Sequence, residues 1–293
     1  SGTTGRDEAI LTMRKKYLGW ILLGLCTVCA AGNFSGHGAK AESTETADAG
    51  GQSEENTSAS NAAEVTKGDA DVIISAIQRS SRLPSFQIDT TVNANLNGKV
   101  IRAEYNLQSD IHVVQDAAGE KLQMTMVNTS GTGEKDSEVS EAYYKDGWYY
   151  SRDSKGNLKK TEKSSEEVME MVTSITDMVT NASGQVEILK KETDGENTKY
   201  TYRIPNYLAE EYLDTMSESQ IAEDTALENV TASVESLQLV STIAPEGLLV
   251  RQELELSGAV KKLLFKVPVD VTATAEFQPM QETELEIPLW EEK

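Results

Sequence analysis

Phe86-Gln87-Ile88-Asp89-Thr90-Thr91-Val92-Asn93-Ala94-Asn95-Leu96, then Asn97-Gly98, then Lys99-Val100-Ile101-Arg102-Ala103-Glu104-Tyr105-Asn106-Leu107 is the stretch that decides the fold class. Phe86, Ile88, Thr90, Val92, Ala94 and Leu96 occupy alternate positions, as do Ile101, Ala103, Tyr105 and Leu107. A period of two belongs to strands with one buried face. Asn-Gly between two such runs predicts a two-residue type I′ turn, because both central residues there need positive φ. That turn sets Leu96 opposite Lys99, Ala94 opposite Ile101, Val92 opposite Ala103, Thr90 opposite Tyr105 and Ile88 opposite Leu107, with the apolar positions of both strands on one face.

The alternation continues outward from this hairpin. Ile111 and Val113 prolong the second strand, Asp116 to Gly119 turn, and Leu122, Met124 and Met126 alternate in a third. A second hairpin follows in Glu141 to Tyr150 around Asp146-Gly147, putting Tyr144 and Tyr149 on one face and Tyr143, Trp148 and Tyr150 on the other. Gln185 to Lys191 and Thr198 to Ile204 pair around Asp194-Gly195. In the last third, the apolar phase slips at Glu235-Ser236, which predicts a bulge. Leu248, Val250, Leu254 and Leu256 read as one in-phase strand. The final strand runs from Leu263 to Phe277, with Pro268 on its polar side, a mark of an edge or a bend. This makes about nine strands.

Two helices carry the other period. Asp69 is the expected N-cap of a first helix whose face is Val72, Ile73, Ala76 and Ile77, ended by Arg82-Leu83-Pro84. Ser164-Ser165-Glu166-Glu167 is a capping box for a longer one, in which Val168, Met171, Val172, Ile175, Met178 and Val179 recur at helical spacing until Asn181 to Gly184. A short helix is expected near Asn206 to Met216. Long one-sided strands with a strong helix to cover them define an α+β protein, a highly curved antiparallel sheet wrapped around helices.

Composition limits the function. Of 27 basic and 48 acidic residues, 5 and 2 precede Glu42, which leaves 22 and 46 and a formal charge of −24. Nucleic acid is therefore excluded as a favoured partner, and no basic patch is expected to seek anionic lipid. Both cysteines, Cys26 and Cys29, lie in the first thirty residues, so the region beyond has no thiol chemistry or disulfide. His112 is its only imidazole. No phosphate loop, nucleophile elbow, zinc pattern or dinucleotide fingerprint occurs. Asp110 and His112 near Ser109 sketch a relay, but a surface histidine is the simpler reading. The carboxylate pairs Asp69/Asp71 and Glu210/Glu211 are what 46 acidic residues produce by chance. The chain is read as a non-enzyme without cofactor or metal.

The N-terminus reads as an address. Residues 1–12 form an upstream extension. Met13-Arg14-Lys15-Lys16, the apolar run Tyr17 to Ala31 and the triplet Ala39-Lys40-Ala41 have the layout of a secretory signal peptide over 13–41, cleaved after Ala41. Leu23-Gly24-Leu25 before Cys26 is a poor lipobox, so a lipid anchor there is not favoured. Residues 42–68 are small, polar and acidic, a flexible linker. The folded region is 69–293, about 225 residues and one domain in size.

The leading helix with Phe86-Gln87-Ile88-Asp89 after it, Tyr143-Tyr144-Lys145-Asp146-Gly147-Trp148-Tyr149-Tyr150, the Ser164 to Asn181 helix and the closing Glu286-Ile287-Pro288-Leu289 together resemble the LppX/LprG-type and LolA-like lipoprotein-carrier superfamily. The resemblance implies an incomplete barrel closed by helices around an apolar cavity for acyl chains or lipidated partners. It makes the expected protein an extracytoplasmic, monomeric binder of a lipid-like ligand, in which Tyr144, Tyr149, Val168, Met171, Ile175 and Met178 are the candidate contacts. The alternative is an envelope interaction module with a solid core, presenting the aromatic hairpin or acidic surface to a glycan or protein.

Overall fold

The computed structural model describes residues 65–66, 68–98, 102–117, 120–131, 137–211, 230–262, 265–287 and 290. The expected signal peptide, Cys26, the Ala41 cleavage point and nearly all of the acidic linker lie outside them.

Helix α1 is Asp69–Ser80. Its N-cap is Gly68, not Asp69, and no side chain caps it. Asp69 instead begins the first turn, where its carboxylate accepts the Thr66 N–H at 2.6 Å and Lys191 Nζ at 2.8 Å. Asp69 and Asp71 near the helix start and Arg79 near its end suit the helix dipole. Ile73, Ile74, Ala76 and Ile77 are buried and Val72 is exposed, so the packed face is rotated by part of a turn from the expected one. At the far end Ser80 Oγ accepts the Leu249 N–H at 2.8 Å.

Eleven strands follow: β1 Ser85–Asn97, β2 Arg102–Gln115, β3 Leu122–Gly131, β4 Ser137–Lys145, β5 Trp148–Arg152, β6 Leu158–Glu162, β7 Glu187–Asp194, β8 Asn197–Arg203, β9 Val230–Ile243, β10 Leu249–Lys262 and β11 Phe265–Pro279. Helix α2, Ser165–Asn181, separates β6 from β7. The strands form one open antiparallel sheet in the order β6-β5-β4-β3-β2-β1-β11-β10-β9-β8-β7. The fold is the curved α+β half-barrel expected from the sequence. First and last strands pair at its centre, and two meanders run outward from that seam. The segment containing α2 therefore leads from one sheet edge, β6, to the other, β7. Helix α1 packs on β7, β9, β10 and α2. Residues 206–211 are helical, and the rest of the short helix expected there lies outside the described residues.

Three details correct the sequence reading. The first hairpin does not turn at Asn97-Gly98: Asn97 pairs with Arg102, Val92 with Leu107, Thr90 with Ser109 and Phe86 with Val113. The slip relative to the expected register is even, so every side chain keeps its face. The sheet has eleven strands: β6, which carries no buried alternation, was not legible, and β4 starts at Ser137, before the part read from the sequence. In β10, Leu249 rather than Leu248 or Val250 is the inward residue, because a register shift between Leu249 and Arg251 brings it onto the face of Gln252, Leu254 and Leu256.

Other readings hold. Glu235 is the extra residue of a bulge, since Ser257 pairs with Ser236 and Gly258 with Val234. Gly258 belongs there because a Cβ would sit 2.3 Å from the Ser233 carbonyl oxygen. Pro268 sits in a central strand, yet the β1 ladder stops at Leu96–Val269, so at Pro268 β11 is paired only to β10.

Candidate functional site

The concave face holds two apolar clusters. The larger joins Ile73, Ala76 and Ile77 of α1, Met178, Val179 and Ala182 at the end of α2, and inward residues of β1, β2 and β8 to β11 such as Val92, Leu107, Tyr202, Leu239, Leu254 and Ala273. The smaller joins Phe86, Ile88, Ile111, Val113, Leu122, Met124, Met126, Ala142 and Tyr144 to Val168 and Val172 near the start of α2, with Leu83, Tyr149, Met169 and Phe277 packed on its margin. Helix α2 thus spans both. Its first turn is fixed by the expected capping box, with the Glu167 N–H donating to Ser164 Oγ and the Ser164 N–H to Glu167 Oε2. The Ser164 hydrogen bonds outweigh desolvation and hold the Glu167 carboxyl below its ordinary range.

Between the clusters runs a row that no local stretch of sequence displays. Following directly paired residues across the sheet gives Asn128 on β3, Ser109 on β2, Thr90 on β1, Ala275 on β11, Gln252 on β10, Ser241 on β9, Tyr200 on β8 and Lys191 on β7. Directly paired residues share a face. Thr90, Ser109, Gln252 and Ser241 are at most 4% exposed, so this polar belt lies in the interior.

Its two halves differ in hydrogen bonding. Ser241 Oγ donates to Gln252 Oε1 at 2.6 Å, Gln252 Nε2 donates to the Tyr202 hydroxyl at 3.2 Å, and that hydroxyl lies 3.0 Å from Ser241 Oγ. The triangle is closed. Burial pushes the Tyr202 phenol up to about 12, against the lowering effect of these hydrogen bonds, so it is neutral. At the end of the row Lys191 is paired to Asp69. In the other half, Thr90 Oγ1, Ser109 Oγ and Asn128 Oδ1 are buried with no hydrogen-bond partner, as are Ser85 Oγ and Arg251 Nε elsewhere. Each such group costs about 1–3 kcal/mol of lost hydration. The threonines of α2 do not meet this need, since Thr173, Thr176 and Thr180 donate to carbonyls of their own helix.

The sequence-named residues divide between these features. Tyr144 and Val168 are within the smaller cluster and Tyr149 is on its margin. The Tyr144 hydroxyl donates to the Lys163 carbonyl at 3.1 Å, and burial raises the Tyr149 phenol. Met171 is buried outside both clusters, and Met178 belongs to the larger one. The side chain of Ile175 lies outside the described residues. The candidates thus lie on β4, β5 and along α2, with Tyr144, Tyr149 and Val168 at the smaller cluster and Met178 in the larger. Thr90, Ser109 and Gln252 were not among them.

On the convex face, Tyr143 stacks on Tyr150 at 4.4 Å and Trp290 meets Tyr143 edge-on at 4.9 Å. Lys160 Nζ lies 4.4 Å from the centre of Trp148 and Arg152 lies 4.9 Å from that of Trp290. The chain's own tail covers Tyr143, and Leu285 N–H donates to Gln123 on the way. The Asp110–His112 contact, 3.0 Å, also lies on the half-exposed outer face of β2, whereas Ser109 points inward. A strand alternates its side chains, so these three cannot form a relay. Glu210 accepts the Val234 N–H at 2.7 Å and Asp69 is held by Lys191, so the two carboxylate pairs do not converge. Among the described residues no group of three His, Cys, Asp or Glu side chains is placed to hold a metal, and no helix is long and apolar enough to cross a membrane.

No family model and no curated protein matches the chain. Among solved structures it is similar to LprF from Mycobacterium bovis, at 12% identity and a TM-score of 0.37, over 71% of this chain and 92% of that one. It is also similar to a DUF1329 family protein from Desulfovibrio piger, at 6% identity and a TM-score of 0.27, over 72% of this chain and 90% of that one. A structure of lipovitellin, described in terms of lipid-protein interactions, aligns at 8% identity and a TM-score of 0.30 over 70% of this chain and 26% of its own.

Proposed function

We propose that the chain is a non-enzymatic, monomeric extracytoplasmic protein of a bacterial cell envelope that binds or carries an apolar, lipid-like ligand on the concave face of its half-barrel. The observation that carries this reading is the smaller cluster: a one-sided apolar surface, rich in adaptable methionine, roofed by the first half of α2 and bordered by polar atoms without partners. Tyr144, Tyr149, Val168, Met171, Ile175 and Met178 are the proposed contacts, and Met124 and Met126 join them. The signal-peptide layout of 13–41 supplies export, with cleavage after Ala41 in preference to lipid attachment at Cys26.

The test is native mass spectrometry of the protein secreted by a bacterial host and purified without detergent, with organic extraction of anything bound. A co-purifying lipid supports the reading and gives the cargo class. A clean ligand-free mass, together with no uptake of the neutral probe N-phenyl-1-naphthylamine, overturns it and leaves the solid-core interaction module.

A further inference from the structure

We infer that Asn128, Ser109 and Thr90 form a recognition site for an uncharged oxygen function, an ester carbonyl or a hydroxyl, on the otherwise apolar ligand. This rests on the ligand-binding reading above and names what selects the ligand.

One buried hydroxyl without a partner is a local accident of packing. Here three unpartnered polar groups stand side by side on β3, β2 and β1, in one transverse row, on the border of the smaller cluster. Thr90 is 3% and Ser109 4% exposed, so bulk water does not satisfy them. The same row on β8 to β10 shows the alternative: where the fold alone must complete a buried polar set, it does so with Tyr202, Ser241 and Gln252. The open half is complete only when something else contributes.

The chemistry of that contribution follows from the donor set. Two adjacent hydroxyls can donate to one carbonyl oxygen, and Asn128 Oδ1 can accept from a hydroxyl. The inward neighbours of Thr90 and Ser109 along their strands are Ile88, Val92, Leu107 and Ile111, all apolar, and Asn128 lies between Met126 and Ser130, with Ser140 across from it; none is charged. The cation at the end of the row, Lys191, is five strands from Thr90 and already holds Asp69. A carboxylate or phosphate here would be buried without a counter-charge, which is far more costly than burying a neutral oxygen.

The experiment uses the protein as secreted and reads displacement of N-phenyl-1-naphthylamine by methyl decanoate and by tridecane, which match in heavy-atom count. Tridecane leaves water more readily than the ester, so the reading is the ester-to-alkane affinity ratio of wild type against that of variants. Thr90→Val with Ser109→Ala should lower that ratio about tenfold, the margin of one or two net hydrogen bonds, by weakening the ester while tridecane is held as well as before. Thr90→Ser keeps the hydroxyl and should keep the ratio. The double variant without ligand should melt at or above the wild-type temperature, because it removes unpartnered polar atoms. An ester-to-alkane ratio unchanged in the double variant, or a clearly lower melting temperature, overturns the inference and leaves the ligand-binding reading standing. A ligand-free mass together with failure of the naphthylamine probe to bind overturns both.

Discussion

The two apolar clusters of the concave face meet on β1, β2 and β11 but draw their other strands from opposite halves of the sheet and are closed differently. The larger one has α1, the end of α2 and residues from β1, β2 and β8 to β11 around it, and its polar neighbours satisfy one another. The smaller one has the start of α2 for a roof, its β3 strand contributes Met124 and Met126 where no strand of the larger cluster contributes methionine, and its polar border is unpaired. On the proposed reading, the difference separates a stabilising core from the surface that meets the ligand. Branched side chains lock a packing, whereas methionine refits to what arrives.

Substitutions in the two clusters should therefore separate stability from binding. Leu239→Ala in the larger cluster, at a fully buried position, should lower unfolding free energy by about 3–5 kcal/mol in urea titration. Met124→Ala in the smaller cluster, equally buried, should cost about 2 kcal/mol and produce the larger change in naphthylamine uptake. Equal effects on uptake from both variants would dissolve the distinction.

The paired half of the polar row offers a finer cut. Gln252→Leu removes the partner of Ser241 and Tyr202 and should destabilise by about 1–3 kcal/mol, measured by the same titration. Against it stands Thr90→Val, for which no loss is expected. The two changes are chemically alike and differ only in whether the group has a partner.

The smallest expected effect is a pH slope. Burial raises the Asp69 carboxyl, but the hydrogen bonds from Lys191 and Thr66 prevail and hold it below its ordinary 3.8. A group depressed on folding gives its full contribution above the unfolded value and loses it as pH falls through the folded one. Wild type should thus lose this contribution below about pH 4, and the stability gap to Lys191→Met should narrow over the same window. A gap independent of pH from 6 to about 2 would show that the pair does not couple α1 to β7 in this way.

What could be read in advance depended on whether the signal was local. The capping box at Ser164 and Glu167 is four residues long and forms as read. The bulge at Glu235 was visible because the apolar phase itself slips there. The first hairpin was legible in its faces but not in its register. In the Asn97-Gly98 register Phe86 would face Ser109 and Thr90 would face Tyr105. The ladder that forms sets Phe86 on Val113 and Thr90 on Ser109, apolar on apolar and polar on polar, while β1 is held along its other side by β11. Long-range pairing on both flanks outweighs one turn's preference. Strand β6 escaped notice because Leu158 to Glu162 has no buried face, being an edge strand guarded by Lys159 and Lys160.

By itself, the sequence determined the class: alternation with a period of two, a capped amphipathic helix and an acidic, thiol-free folded region specify a one-sided antiparallel sheet with a helical cover, since these are properties of neighbouring residues. The tertiary structure alone decided the polar row. Thr90, Ser109, Ser241 and Gln252 each interrupt an apolar alternation singly and Asn128 ends one, and each by itself is unremarkable. Only the pairing of strands far apart in the chain sets them side by side, because a sheet adds its residues across strands while a sequence orders them along one.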